Sequence, residues 1–317
     1  MEMREVFARK LVELSEKDER IIVMDADLNT STKTDIFMEA YPARFIQCGI
    51  AEQNMFGWAA GLATLGYIPF PSTFAAFAVT RAADQINLSI AYPELNVKIP
   101  GSYCGISTGK AGATHQTVQD LAIMRSMPNM RVLDAADSEE LKQMMDAMLQ
   151  YEGPVYFRVL RPQIPKVFDS TYHFDWKPVL LKDGKDIALI GTGFMTHLVV
   201  EAAKVLTDKG VEAAILHVPC LKPLDQELIL KYAAKTGKIV TAENHSVIGG
   251  LGSAVAEIVT EKIPAIIKRV GVADTFVETG DDDEIYQKYG LTVGHIVKEA
   301  LEIRTIKTVV KNIYKRG

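Results

Sequence analysis

Short apolar runs alternate with amphipathic stretches along most of this chain. Residues 4–15 repeat apolar positions at helical spacing, and Arg20 to Asp25 (RIIVMD) is short and apolar enough for a buried strand. ADLNTST follows as a loop at its carboxyl end, where open α/β sheets place ligands. Strand patterns return at Ala43 to Cys48, Tyr67 to Phe70, Val97 to Cys104, Arg131 to Asp134 and Val155 to Leu160. Helices are predicted between them: from Glu52, over Ala75 to Ala91, near Val118 to Arg125 and over Ser138 to Gln150. A Gly-rich loop occupies 105–114. Residues 166–185, entered through Pro162 and Pro165 and containing Pro178, read as a linker. A second unit then alternates DIALIGTG, AAILHVPC, KIVTAEN and IIKRVGV with helical stretches. DDDEIYQKYG places acids at a helix start and Gly290 past its end. The expectation is α/β: two three-layer domains, 1–165 and 186–303, the first with a parallel sheet covered on both faces. Residues 304–317 hold five basic residues and no acid, and read as a solvated tail.

One stretch departs from this rhythm. After Glu52 no charge appears for 28 residues, until Arg81. That length suffices for a membrane span. Gly57, Gly61, Gly66, Pro69 and Pro71 interrupt it, so a buried helix followed by a buried strand is expected instead, the segment ending in a loop with Pro69 and Pro71. Glu52 opens that helix on a GIAEQ turn, and a helix start tolerates an acid. Phe74 and Phe77 stand three apart and face the same way on a helical turn.

At 317 residues the chain is long for one domain and comfortable for two. Composition is 48% hydrophobic and 24% charged with a net charge of −5, which recruits neither nucleic acid nor membrane. The amphipathic start lacks the uncharged core of a signal peptide. Three dispersed cysteines, Cys48, Cys104 and Cys220, make no metal pattern or disulfide framework and suggest the reducing cytoplasm.

GIAEQNM, AAGLA, STFAAF and GATHQTVQDLAIMRSMPN, in that order and spacing, resemble the pyrimidine-binding half of a transketolase. The resemblance continues more loosely to about residue 297. It implies thiamine diphosphate as cofactor and the transfer of a two-carbon ketol unit from a ketose to an aldehyde. It places on Glu52 the carboxylate that bonds N1′ of the cofactor's pyrimidine and promotes proton loss at C2. Phe74 and Phe77 are implied to stack on that ring. Ile50, beside Glu52, and Asp27, in the ADL loop that approaches cofactor across a dimer interface, complete the implied cofactor contacts. As a bare sequence Asp27 could equally cap a turn.

The loop STGKAGATHQ resembles the one whose histidine, here His115, bonds the donor sugar and shuttles protons. Its glycines let backbone approach a ligand. Arg161 is implied to contact a sugar phosphate, with Arg158 beside it. Three positions depart from the family pattern. Tyr103 stands for a histidine and Ala111 for an aspartate that touch substrate hydroxyls, and Thr80 stands for a third aromatic. The usual pentose and hexose phosphates are therefore not the expected substrates.

No GDG motif with a downstream asparagine is present; KDGKD at 182–186 lacks the context. The resemblance thus implies the C-terminal subunit of a split transketolase. An N-terminal partner carries the diphosphate and Mg2+, most simply in an α2β2 heterotetramer with a homodimeric core. The β subunit of a 2-oxo acid dehydrogenase decarboxylating component shares domains, size and glutamate, but THQTVQDLAIMRSMPN favours transketolase. A catalytically silent assembly subunit is the non-enzyme alternative, against which Glu52, His115 and both phenylalanines argue.

Overall fold

A computed structural model describes residues 1–306; the expected basic tail lies, from residue 307 on, outside the described residues. The first half runs α1 (Met3–Ser15), β1 (Ile21–Asp25), α2 (Asn29–Thr32), α3 (Asp35–Ala40), β2 (Phe45–Gln47), α4 (Glu52–Thr64) and β3 (Ile68–Phe74). It continues with α5 (Ala75–Arg81), β4 (Lys98–Ser102), α6 (Asp120–Ser126), β5 (Arg131–Asp134), α7 (Ser138–Leu149) and β6 (Val155–Val159). The second half runs β7 (Val179–Lys182), β8 (Ile187–Gly191), α8 (Met195–Asp208), β9 (Ala213–His217), β10 (Cys220–Lys222) and α9 (Glu227–Thr236). It ends with β11 (Lys238–Ser246), α10 (Leu251–Lys262), β12 (Ile266–Val272), α11 (Asp282–Lys288) and α12 (Val293–Thr305).

Two sheets result, of seven strands (β10-β5-β6-β4-β3-β1-β2) and five (β12-β11-β8-β9-β7). Both are parallel except at one edge, where β10 and β7 pair antiparallel. The two α/β domains are as expected, and four details differ. First, the AAILHVPC stretch is two strands, and the second, β10, crosses over to pair with β5 of the first sheet. The apolar core follows it: Met55 and Phe56 of α4 belong to a cluster that reaches Leu221, Ile190 and Val255. Second, part of the expected linker, Val179–Lys182, is strand β7 at the edge of the second sheet.

Third, the strand expected at Tyr67 to Phe70 runs on to Phe74, so Pro71 as well as Pro69 lies inside β3 and not in a loop. The ladder explains this. Ile68 donates its N–H towards β1, to the Arg20 carbonyl, so the alternate positions 69 and 71 face the other neighbour. Pairing with that neighbour, β4, begins only at Thr73, so no ladder bond needs the missing proline N–H. The predicted long helix over Ala75 to Ala91 is also divided, into α5 and a π-type helix over Gln85–Ala91.

α4 shows how the uncharged stretch is used. Met55, Phe56, Ala59 and Ala60 face the core at helical spacing. The opposite face, with Gln53, Gly57, Trp58 and Gly61, is exposed yet carries no charge, and Trp58 is 50% exposed. Added Cβ atoms at Gly57 and Gly61 would meet nothing within 4 Å. Among the described residues no helix is long and apolar enough to cross a membrane.

Candidate active site

Parallel strands deliver their last residues to one edge of the sheet. At that edge β1 ends in Asp25, which is buried and accepts from the Leu28 N–H (2.5 Å) and from the hydroxyls of Thr32 and Thr34 (2.9 Å each). Burial pushes its carboxyl up to about 6. These bonds fold ADLNTST into a compact turn instead of an open loop. Asp27 sits there in the left-handed region (φ 64), its N–H donating to Gln47 Oε1 at 2.8 Å.

Glu52 is the first residue of α4, which has no capping side chain. Its side chain is 4% exposed, and its Oε1 accepts from Arg81 Nη1 at 2.9 Å. Arg81 ends α5, four residues after Phe77, so the two share a helix face. The guanidinium carbon lies 4.0 Å from the Phe77 ring centroid. Arg81 thus bridges the carboxylate and the aromatic face. Ile50, 74% exposed, flanks the same opening.

Phe74 and Phe77 are near-parallel, 5.6 Å apart, with the His115 ring edge-on to both at 6.0 and 5.3 Å. Tyr103 follows β4 with φ 57 and stacks on Phe74 at 4.2 Å. Its hydroxyl accepts from Arg4 Nη1 at 2.5 Å, and Arg4 also donates to the Ser31 carbonyl and to Glu2. Thr80, at the expected third aromatic position, donates its hydroxyl to the Ala76 carbonyl. Tyr103 supplies a third ring from another strand.

The loop after β4 is held by the second domain. Ile106 donates to Asn244 Oδ1, Tyr286 to Ser107 Oγ, and Lys110 pairs with Asp281 at 3.0 Å. The expectation that its glycines admit a ligand is corrected. A Cβ at Gly105 or Gly109 would strike Asn244 or Asp282, so they admit the second domain instead. His115 is half-buried and its Nδ1 bonds Thr114 Oγ1 at 2.8 Å. Arg161 is exposed and lines a cleft with Lys110, Glu2, Asp281 and Asp282.

Arg158 does not join this group. It is 1% exposed and donates twice to Asp120 (2.5 and 2.7 Å), to Asp134 (3.3 Å) and to the Asn244 carbonyl (3.2 Å). The expected substrate contact gives way to an interior tie between the domains, because saturated, buried donors cannot meet a phosphate. The sequence reading missed Arg81 and Arg4. Arg81 was legible: it is the charge that ends the uncharged stretch, and its i, i+4 spacing from Phe77 puts it on the ring. No group of three or more His, Cys, Asp or Glu side chains converges as a metal site among the described residues.

This pair of domains, with a buried acid opening an uncharged helix beside stacked aromatics, matches known families over most of its length. Residues 1–166 match the model of the transketolase pyrimidine-binding domain, and residues 177–296 that of the transketolase C-terminal domain. The chain belongs to the transketolase family. Within it the chain corresponds to the C-terminal subunit of split transketolases. It is 43% identical over 302 residues to a 6-deoxy-6-sulfo-D-fructose transketolase subunit of Clostridium sp. strain MSTE9, covering 95% of this chain and 94% of that protein. It is 36% identical to one of the subunits of apulose-4-phosphate transketolase from Phocaeicola vulgatus, covering 94% and 96%. A solved split-gene transketolase, described as an inactive β4 tetramer, superposes with a TM-score of 0.89 at 44% identity, covering 97% of this chain and 100% of that one.

Proposed function

We propose that this chain is the cofactor-activating subunit of a thiamine-diphosphate-dependent ketol transferase, working with a second subunit that holds the diphosphate and Mg2+. One observation carries the reading. A single flat N–H donor, the Arg81 guanidinium, reaches both Glu52 Oε1 and the Phe77 ring. An aminopyrimidine is also flat, stacks on an aromatic face and presents a nitrogen to a carboxylate, so the residues present fit that group. When bound, thiamine diphosphate supplies the carbon nucleophile that takes up the two-carbon unit of a ketose.

This chain's residues then divide the remaining work. Glu52 shares a proton with the ring nitrogen at N1′. Phe77 and Phe74 fix the ring plane, with stacking worth ~1 kcal/mol beyond area burial. His115 moves a proton at a donor hydroxyl, and the Tyr103 hydroxyl, which accepts from Arg4, keeps its own proton for a substrate oxygen. Arg161 holds an anionic end of the substrate, with Lys110 beside it. Ile50 borders the opening, and Asp27 of the ADL turn approaches cofactor across the dimer interface.

The assembly we propose is α2β2. The exposed, uncharged face of α4 supports a homodimeric core, since Gly57 and Gly61 allow close approach of a second copy. The inactive β4 tetramer of the solved relative agrees with a subunit that is silent on its own. For substrate we propose a ketose other than the common pentose phosphates. Ala111 removes one usual hydroxyl partner and Tyr103 replaces another by a phenol in a different place, and a buried hydroxyl left unpaired costs about 1–3 kcal/mol. The two relatives named for 6-deoxy-6-sulfo-D-fructose and apulose 4-phosphate support this choice.

The test is a donor panel with the co-expressed pair. Thiamine-dependent turnover by the pair and none by the single chain is expected. Xylulose 5-phosphate should be a poor donor, and Ala111→Asp should move preference towards it by about tenfold. Turnover by the purified single chain would overturn the split arrangement. A wild-type kcat/KM of ~10⁴ M⁻¹s⁻¹ or above on xylulose 5-phosphate would overturn the donor reading.

A further inference from the structure

Arg81 occupies the seat that the proposed function assigns to a ring. Its guanidinium is planar, lies over Phe77 at 4.0 Å and donates to Glu52 at 2.9 Å. A cofactor ring that stacks on that face and bonds that carboxylate needs the same volume and the same acceptor. Arg81 is also free to leave. Its side chain is 48% exposed, whereas that of Glu52 is 4% exposed, and the opening beside them is lined by Ile50, Gln53, Asn54 and Thr80 without another charge.

We propose that Arg81 is a displaceable stand-in for the aminopyrimidine, so that cofactor loading and release of Glu52 are one event. The inference rests on the reading of the site given above. Its chemical consequence follows from the guanidinium, which does not give up its proton near neutrality. While Arg81 is bound, Glu52 is a paired anion with no proton to exchange on that oxygen. Once Arg81 swings to solvent, the same oxygen faces a ring nitrogen that does exchange a proton.

The experiment measures thiamine diphosphate dissociation constants, with Mg2+ present, for the complex of this chain with its diphosphate-binding subunit. Calorimetry or intrinsic fluorescence serves, so the readout does not depend on activity. Removing the competitor in Arg81→Ala should tighten binding by about three- to tenfold, the scale of one half-exposed ion pair with its cation–π contact. Arg81→Gln, which keeps a flat amide but no charge, should move the same way by less. Phe77→Ala should move it the opposite way.

Unchanged or weakened binding in both Arg81 variants would overturn the stand-in, because a supporting partner of the bound state predicts that sign. A crystal structure of the loaded wild-type complex gives the second reading even if a variant fails to fold. Arg81 displaced from Glu52 supports the proposal, and Arg81 still bonded to it overturns the proposal alone. A wild-type complex that binds no thiamine diphosphate overturns both the stand-in and the reading of the site beneath it.

Discussion

Two arginine–carboxylate pairs in the first domain look alike in sequence and behave oppositely in the fold. Arg158 is enclosed with Asp120 and Asp134, donates two short bonds to one carboxylate, and ties β6 to α6, β5 and the second domain. Arg81 makes one bond to Glu52 at the mouth of an opening and keeps half of its side chain in solvent. The closed pair cannot be exchanged for a ligand without leaving a bare charge in the interior. The open pair can, because the departing arginine is rehydrated at once. Saturation and exit distinguish a structural pair from a functional one here, and burial of the carboxylate does not.

Breaking the closed pair should have the largest effect on stability. Arg158→Ala leaves Asp120 and Asp134 together without a counter-charge, and loss of one partner of a buried pair costs about 3–5 kcal/mol. Arg81→Ala should cost below about 1 kcal/mol, since solvent screens its exposed half. Urea unfolding of the two variants makes the comparison, and equal losses would erase the distinction.

The closed pair is itself uneven, and pH should expose that. Asp120 accepts two bonds from Arg158 at 2.5 and 2.7 Å and one from the Tyr156 hydroxyl at 2.7 Å. Although burial opposes ionisation, the Arg158 charge and these bonds hold its carboxyl below the ordinary value. Asp134 has the single longer bond from Arg158, and burial pushes its carboxyl up to about 6. Between its free value near 3.8 and about 6 the folded chain therefore carries the extra proton at Asp134. Its contribution to stability falls as pH rises through that window and is flat above it. Asp120 acts in the other direction, losing its contribution as pH drops through its lowered folded value. Asp134→Asn should reduce the modest fall in the unfolding midpoint between about pH 4 and 6, leaving the share from Asp25, whose buried carboxyl also titrates near 6. The wild-type slope persisting undiminished in the variant would place that titration elsewhere.

The alternation of strands and helices was legible because each element carries its own period, and both α/β domains follow from it. What crosses between domains was not. β10 reads as the end of AAILHVPC, and nothing local says that Cys220–Lys222 pairs with β5. The strand at Tyr67 to Phe70 was expected to end before Pro71, because tolerance of proline depends on which neighbour lacks a ladder there. At the site, the GIAEQ, STFAAF and THQ motifs marked the acid, the rings and the histidine. Arg158 and Arg161 sit three apart at one strand end, and only the arrival of Asp120 and Asp134 from other elements separates the buried one from the exposed one.

In the proposed function Glu52, once freed from Arg81, activates a thiamine cofactor. The most direct test of that role is the rate of hydrogen–deuterium exchange at the cofactor's C2, followed by NMR in the two-subunit complex. Glu52→Gln keeps the shape and a hydrogen bond but cannot promote the required proton shift. Exchange slowed by about 10²–10⁴-fold, with thermal unfolding unchanged, is expected. Exchange at the wild-type rate in a folded, cofactor-loaded Glu52→Gln complex would contradict that role.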